Sequence, residues 1–200
     1  MGFCRTNLFK RLESSGYAFL LSLARHAMRN YVFIHAIKNG LDLPIGAQEV
    51  REMDEYLEEQ DEDMQELGLL NISHDEKVYA RGAAKLYEGM QKQNKKYKWI
   101  SPRFCKASLA RQLREDVKRI ISILEMGSNW DATIDKKLDA LEKLCMQKHR
   151  NEKVLVFTQF ADTARYVEKE MKRRQVDALY CVTGDTENPT AAAHRFSPVS

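Results

Sequence analysis

A change of apolar pattern three quarters of the way along the chain constrains the fold most. Residues 154–157 (VLVF) form a short unbroken apolar run, which is typical of a strand buried on both faces. A helix with Ala164, Val167 and Met171 on its inner face is predicted next, followed by a second buried strand at residues 178–182. Strand, helix and strand in this order predict a parallel βαβ unit.

The remainder of the chain has helical periodicity. One or two helices are predicted within residues 5–38, another over 75–94, a third over 109–124, and a fourth capped by Asp131. The predicted fold class is therefore mainly α with a partial α/β unit, divided into a helical region at 1–150 and a βαβ region at 151–200. Only 18 residues follow Val182, so we expect a truncated sheet.

The net charge of +3 conceals blocks of opposite sign. Residues 45–66 hold ten carboxylates against Arg51 alone, which predicts a solvated helix or a flexible arm. Residues 85–119 are basic and include Tyr97 and Trp99. Cations interleaved with aromatic rings suit a phosphate backbone and stacked bases, although a solvated helix flank explains the same pattern.

Other function classes have little support in the sequence. The four cysteines lie far apart without a C-x-x-C pair or a secretory signal, so we expect free thiols and a cytoplasmic protein. The sequence contains no run of 18 or more apolar residues, so we expect no membrane-spanning helix. The five histidines form neither an H-E-x-x-H motif nor a cluster with cysteine, so we expect no metal site.

Several segments together resemble a known family. Residues 153–162 (KVLVFTQFAD) resemble the first strand and following loop of the second RecA-like lobe in SWI/SNF-type helicases. Residues 182–186 (VTGDT) resemble the second strand with its Thr-Gly loop, and residues 195–198 (RFSP) the next helix and turn. Residues 7–15 (NLFKRLESS) resemble a segment between the lobes of bacterial members, including those with a phospholipase-D-like domain. The resemblance implies an inter-lobe helical region followed by the start of that lobe.

In this family the two lobes clamp ATP and move along nucleic acid, so the resemblance implies a nucleic-acid partner, with DNA favoured over RNA. It assigns contacts with the phosphate backbone to the loops after the two predicted strands and to the following helix. These residues are Thr158, Gln159, Phe160, Thr183, Gly184 and Arg195. There are alternatives for each of these residues. Thr158 and Gln159 can cap the next helix while Phe160 packs, and Gly184 can serve the turn alone. Arg195 can pair with Asp185 or be solvated.

The complete motor of this family would need ATP and Mg²⁺, but the chain has no Gly-Lys pair for a phosphate-binding loop. The acidic pairs at residues 54–55 and 75–76 follow no predicted buried strand, and the sequence stops before the arginine-finger segment. We expect a motor fragment that binds nucleic acid, completes a motor only with the missing lobes, and has neither catalytic residues nor a cofactor of its own. The alternatives are a helical adaptor that docks through residues 45–66 and a decayed open reading frame.

Overall fold

The computed structural model describes residues 2–45, 72–92, 97–127 and 130–197, with side chains from Leu8 onward. Seven α-helices and one small sheet lie within these residues, which confirms the prediction of a mainly α chain. The helices are α1 (Gly2–Ser14), α2 (Gly16–Lys38), α3 (Glu76–Lys92), α4 (Leu109–Met126), α5 (Lys136–Lys143), α6 (Ala161–Arg173) and α7 (Pro189–Phe196). The strands are β1 (Leu43–Ile45) and β2 (Lys98–Ile100).

The chain divides into two compact units. Residues 20–129 form the central unit, and residues 1–19 together with 130–200 form the terminal unit. The bounds of these units differ from those of the two predicted domains, 1–150 and 151–200. The predicted domains remain a prediction. Residues 46–66, where most of the acidic block lies, fall outside the described residues.

The central unit is held together by apolar helix faces. In α4, Val117, Ile120 and Leu124 recur at helical spacing and are all buried. In α3 the buried face includes Tyr79 and Met90. The helices predicted at 75–94 and 109–124 are therefore confirmed, and so are two helices within residues 5–38.

The sheet of the central unit is an antiparallel pair in which Leu43 lies opposite Ile100, Pro44 opposite Trp99, and Ile45 opposite Lys98. Pro44 has no backbone N–H group, so it is tolerated only in a strand at the edge of a sheet. Both strands of this two-stranded sheet are edge strands.

Two aspartates begin the helices of the terminal unit in a way that corrects one prediction. Asp131 accepts a hydrogen bond from the Thr133 backbone N–H (2.8 Å), but it caps only the short 3₁₀ helix Ala132–Ile134. The cap of α5 is Asp135, whose carboxylate accepts from the N–H groups of Lys137 (3.0 Å) and Leu138 (3.2 Å). Both aspartates have the chemistry of a cap, and the one next to the continuous helix begins it.

The two strands predicted in the terminal unit are not formed. Residues 153–158 and 176–183 contain no hydrogen-bonded strand, and Ala178 has a left-handed φ of 55°. Leu155 and Phe157 are 60% and 87% exposed, so the predicted burial is also wrong. The physical reason is that a strand needs backbone partners beside it, and neither segment pairs with a neighbour within the described residues. A RecA-like parallel βαβ unit is therefore not present in this structure.

Candidate nucleic-acid interface

The first predicted loop leads directly into α6 in the terminal unit. Phe160 occupies the N-cap position, and its carbonyl accepts hydrogen bonds from the N–H groups of Thr163 (3.1 Å) and Ala164 (3.2 Å). The Thr158 hydroxyl accepts from the Phe160 N–H at 3.4 Å. Thr158 and Gln159 are exposed, whereas Phe160 is half-buried. This bond goes to the N-cap residue itself and not to an N–H group within α6, so it does not cap the helix. Gln159 is open to solvent.

The end of α1 supports this loop. Arg11 forms an ion pair with Asp162 at 2.8 Å, and its guanidinium lies 4.8 Å from the centre of the Phe160 ring. The Ser14 hydroxyl lies 2.9 Å from that of Thr163 and 3.3 Å from that of Thr158. Only 4% of the Asp162 side chain is exposed, so the Arg11 charge compensates a carboxylate that has lost most of its water.

The second predicted loop is held against the same helix. The Thr183 N–H donates to the Thr186 hydroxyl (2.9 Å), and the Thr186 N–H donates to the Thr183 carbonyl (3.2 Å), which closes a tight turn. Gly184 lies within this turn, and a Cβ added there would meet no atom within 4 Å. Asp185 forms an ion pair with Arg165 of α6. The structure thus brings both loops to the N-terminal half of α6.

Arg195 lies elsewhere in the terminal unit. It is exposed near the end of α7, next to Phe196, whose carbonyl accepts a hydrogen bond from the Lys153 ammonium. Lys153 also lies 5.8 Å from the Phe196 ring centre. Within the described residues Arg195 forms no ion pair, and Asp185 pairs with Arg165 instead. Lys153, which precedes Thr158 by five residues, and Arg195, which precedes Phe196, are both exposed cations. The bond from Lys153 to Phe196 links these two parts of the chain.

The other end of α6 is fixed by Arg174. Its guanidinium donates to the carboxylates of Asp139 (2.7 Å) and Glu142 (2.6 Å), and to the Ala132 carbonyl (2.7 Å). The two carboxylates raise the pKa of Arg174, so it stays charged. These bonds position α6 against α5, and α6 in turn carries both loops.

Two titratable groups near these loops keep their protons at neutral pH. Burial raises the pKa of Tyr166 well above its usual range, and its hydroxyl donates to Asp135 at 2.9 Å. The Tyr166 ring also stacks on that of Tyr17, with ring centres 4.9 Å apart. Burial, with Glu168 nearby, raises the pKa of the Cys181 thiol, which disfavours the nucleophilic thiolate.

The basic stretch of the central unit exposes its cations. Arg111, Arg114 and Lys118 lie at helical spacing on α4 and are all exposed. Arg111 is 4.0 Å from Glu115, a separation at which an exposed pair contributes little. Such exposure is consistent with contact to a phosphate backbone, and it is equally consistent with a solvated helix flank.

The acidic pair at residues 75–76 lies at the start of α3 and has hydrogen-bond partners of its own. Asp75 accepts a hydrogen bond from the Lys77 N–H (2.9 Å) at the start of α3, and Glu76 accepts from the Tyr31 hydroxyl (2.9 Å). Neither carboxylate follows a strand in the way that the magnesium-binding acid of such motors does. The acidic pair at residues 54–55 lies outside the described residues.

Comparisons with family models, with curated proteins and with solved structures returned no match for this chain. Along the described stretches, none of the helices combines the length and the apolar character needed to cross a membrane.

Sequence reasoning missed the residues that hold the loops in place. Arg11 and Asp162 are 151 positions apart, and no local pattern marks them as partners. The available signal was that residues 7–15 and 153–162 resemble the same family, which would have suggested that the two segments meet. Arg165 gave no such signal, since a single arginine on a helix is usually solvated.

Proposed function

We propose that this chain is a nucleic-acid-binding piece of a motor related to the SWI/SNF-type helicases, with DNA as its partner in the cytoplasm. It contributes contacts to the phosphate backbone and does not hydrolyse ATP by itself. The observation that carries the proposal is the contact between the two segments that resemble this family: Arg11 of the first segment pairs with Asp162 of the second.

This contact supports the proposal because the two segments that resemble the family are distant in the sequence. They are separated in the sequence by the whole central unit, yet Ser14 reaches both Thr158 and Thr163. Chance matches to one family have no reason to be neighbours in space. Along the sequence, α6 follows the first apolar segment and α7 follows the second, and neither of these two segments forms a strand.

The loops offer suitable chemistry for a phosphate backbone. Gln159 supplies amide donors, Thr183 a hydroxyl, and the uncrowded backbone at Gly184 allows a phosphate to approach an N–H group closely. Lys153 and Arg195 add positive charge. Such contacts position a protein on nucleic acid without reading its sequence, as expected of a motor that moves along any strand.

The test is the affinity of the full chain for labelled DNA at low salt, measured by fluorescence anisotropy. Changing Gln159→Ala, Thr183→Ala and Arg195→Gln together removes two donors and one charge, so we expect binding to weaken roughly tenfold. The weakening should be similar for different DNA sequences, because phosphate contacts are lost.

A matched control changes Gln147→Ala, Thr190→Ala and Lys169→Gln, which are exposed residues of the same unit and remove similar groups. Its affinity should stay within about twofold of that of the unchanged protein. Equal weakening by both triple variants would show that only net charge matters, and absence of DNA binding in the unchanged protein would end the proposal.

A further inference from the structure

The central unit contains an open cavity of about 450 Å³, a size common for sites that hold small organic groups. It is formed where α2 ends, β1 begins, and the end of α3 faces β2. Its lining residues are Gly40, Leu41, Asp42, Tyr87, Gln91 and Trp99. None of them belongs to the loops of the terminal unit.

Two aromatic rings shape the cavity. Tyr87 is almost fully buried, and its hydroxyl donates to the Asp42 carbonyl at 2.7 Å, which fixes the ring. The Trp99 ring meets it edge-on, with ring centres 5.7 Å apart and planes at 81°. Trp99 is half-buried. Because the Tyr87 ring is almost fully buried, Trp99 is the ring of this pair on which a flat ligand can stack.

The remaining lining residues provide polar groups and space. Gln91 offers both an amide donor and an acceptor, and Asp42 offers a carboxylate acceptor, so together they can pair with the mixed edge of a nucleobase. Gly40 has a φ of 64°, and a Cβ built there would meet no atom within 4 Å. The chain thus turns into β1 without a side chain at this part of the cavity wall.

Lysines that are close in sequence to the cavity lining favour an anionic ligand. Lys38, Lys92 and Lys98 are exposed and are close sequence neighbours of the lining residues Gly40, Gln91 and Trp99. Within the described part of the chain none of these lysines forms an ion pair. Three ammonium groups disfavour an organic cation, which the aromatic rings and Asp42 alone would accept, and they suit the phosphates on either side of a base.

We propose that this cavity binds one unpaired nucleobase of a single-stranded nucleic acid. The base stacks on Trp99, its edge pairs with Gln91 and Asp42, and the flanking phosphates lie near the three lysines. This site rests on the proposed function and makes it more specific, because it requires a base that is not paired in a duplex.

The experiment compares the full chain on two labelled single strands of equal length, one with bases and one in which every nucleotide is abasic. Anisotropy at low salt should show roughly tenfold tighter binding to the strand with bases, since stacking and edge pairing are absent from the other. Trp99→Ala should abolish this preference. Gln91→Ala and Asp42→Asn, which keep both aromatic rings of the cavity, should reduce it several-fold.

Phe104→Ala is the matched aromatic control, because this ring is exposed and lies outside the cavity lining. It should keep the preference. Equal binding of both strands by the unchanged protein overturns the base site and leaves the proposed function standing. Failure to bind either strand removes the proposed function and the base site together. A shift of the Trp99 indole NMR signal by tetramethylammonium, with no shift by adenosine monophosphate, also overturns the base site.

Discussion

The two units of this chain bury their apolar side chains to very different extents. In the central unit Leu124 is completely buried, whereas in the terminal unit Leu155 is 60% exposed. Both leucines have apolar residues close to them in the sequence. A helix satisfies its own backbone, so α4 needs only an apolar face on which to pack. A strand needs neighbouring strands before its side chains can be covered. The comparison shows that an apolar run becomes core only where the backbone beside it is also satisfied.

The first prediction tests this contrast directly with one substitution in each unit. Leu124→Ala should lower the free energy of unfolding by about 3 to 4 kcal/mol, because it leaves a cavity in a packed core. Leu155→Ala should change it by less than about 0.5 kcal/mol. Urea unfolding can follow the units separately, because Trp99 lies in the central unit and Trp130 in the terminal unit. Similar costs for both leucines would break the comparison.

A second prediction concerns the polar pair on which the terminal unit depends. Arg11→Met removes the ion pair between Arg11 and the buried Asp162 carboxylate, so we expect a loss of roughly 3 kcal/mol, measured by urea unfolding with Trp130 fluorescence. The double variant Arg11→Met with Asp162→Asn should recover part of this loss, because the uncompensated charge is gone. A single variant as stable as the unchanged protein would show that the terminal unit does not rely on this pair.

The third prediction concerns the titration of His26 in the central unit. Burial, followed by the Arg29 guanidinium, lowers the pKa of His26 to about 4, while Asp116 acts in the opposite direction. The unfolded chain therefore binds a proton between pH 6.5 and 4 that the folded chain does not, and stability falls by about 2 kcal/mol as the pH drops through this range. Unfolding measured at several pH values should show this slope.

His26→Gln should flatten the slope between pH 6.5 and 4, whatever its effect on stability at neutral pH. His194→Gln, at an exposed position in the terminal unit, should leave the slope unchanged. If both variants keep the full slope, another group accounts for the loss of stability in acid.

The smallest expected effect concerns the backbone conformation of Gln175 in the terminal unit. Gln175 ends α6 with a left-handed φ of 62°, and the Val176 N–H bonds to the Met171 carbonyl (3.0 Å), a pattern that favours glycine. Gln175→Gly should stabilise the terminal unit by about 0.5 to 1 kcal/mol. Lys169→Gly, in the exposed middle of the same helix, should destabilise it by a similar amount in thermal unfolding. A loss of stability in both variants would contradict the strained geometry.

The helices could be predicted because their signal is local. The spacing of Val117, Ile120 and Leu124 marks the buried face of α4 without reference to any other part of the chain. The predicted strands depended on neighbours that a local pattern cannot specify, so the apolar run at 154–157 was assigned a burial that it does not have. For Asp131, the residue type was right for a cap, but Asp135 four positions later was equally suitable and lies next to the longer helix.

The candidate interface was predictable only in part. Resemblance to a family selected the loop residues Thr158 and Thr183, and the structure places both loops against α6. The bonds that hold them there join residues far apart in sequence, such as Arg165 with Asp185, and such bonds depend on the final packing. The cavity beside Trp99 also could not be foreseen, because its walls come from three separate segments, namely the connection after α2, the helix α3 and the strand β2.

The salt dependence of DNA binding by the full chain tests the central claim most directly. If exposed cations such as Lys153 and Arg195 neutralise phosphates, the logarithm of the binding constant should fall linearly as the logarithm of the salt concentration rises, and Arg195→Gln should make the slope shallower by about one. Binding that does not change with salt, or an absence of binding even at low salt, would contradict the claim that this chain contacts a nucleic-acid backbone.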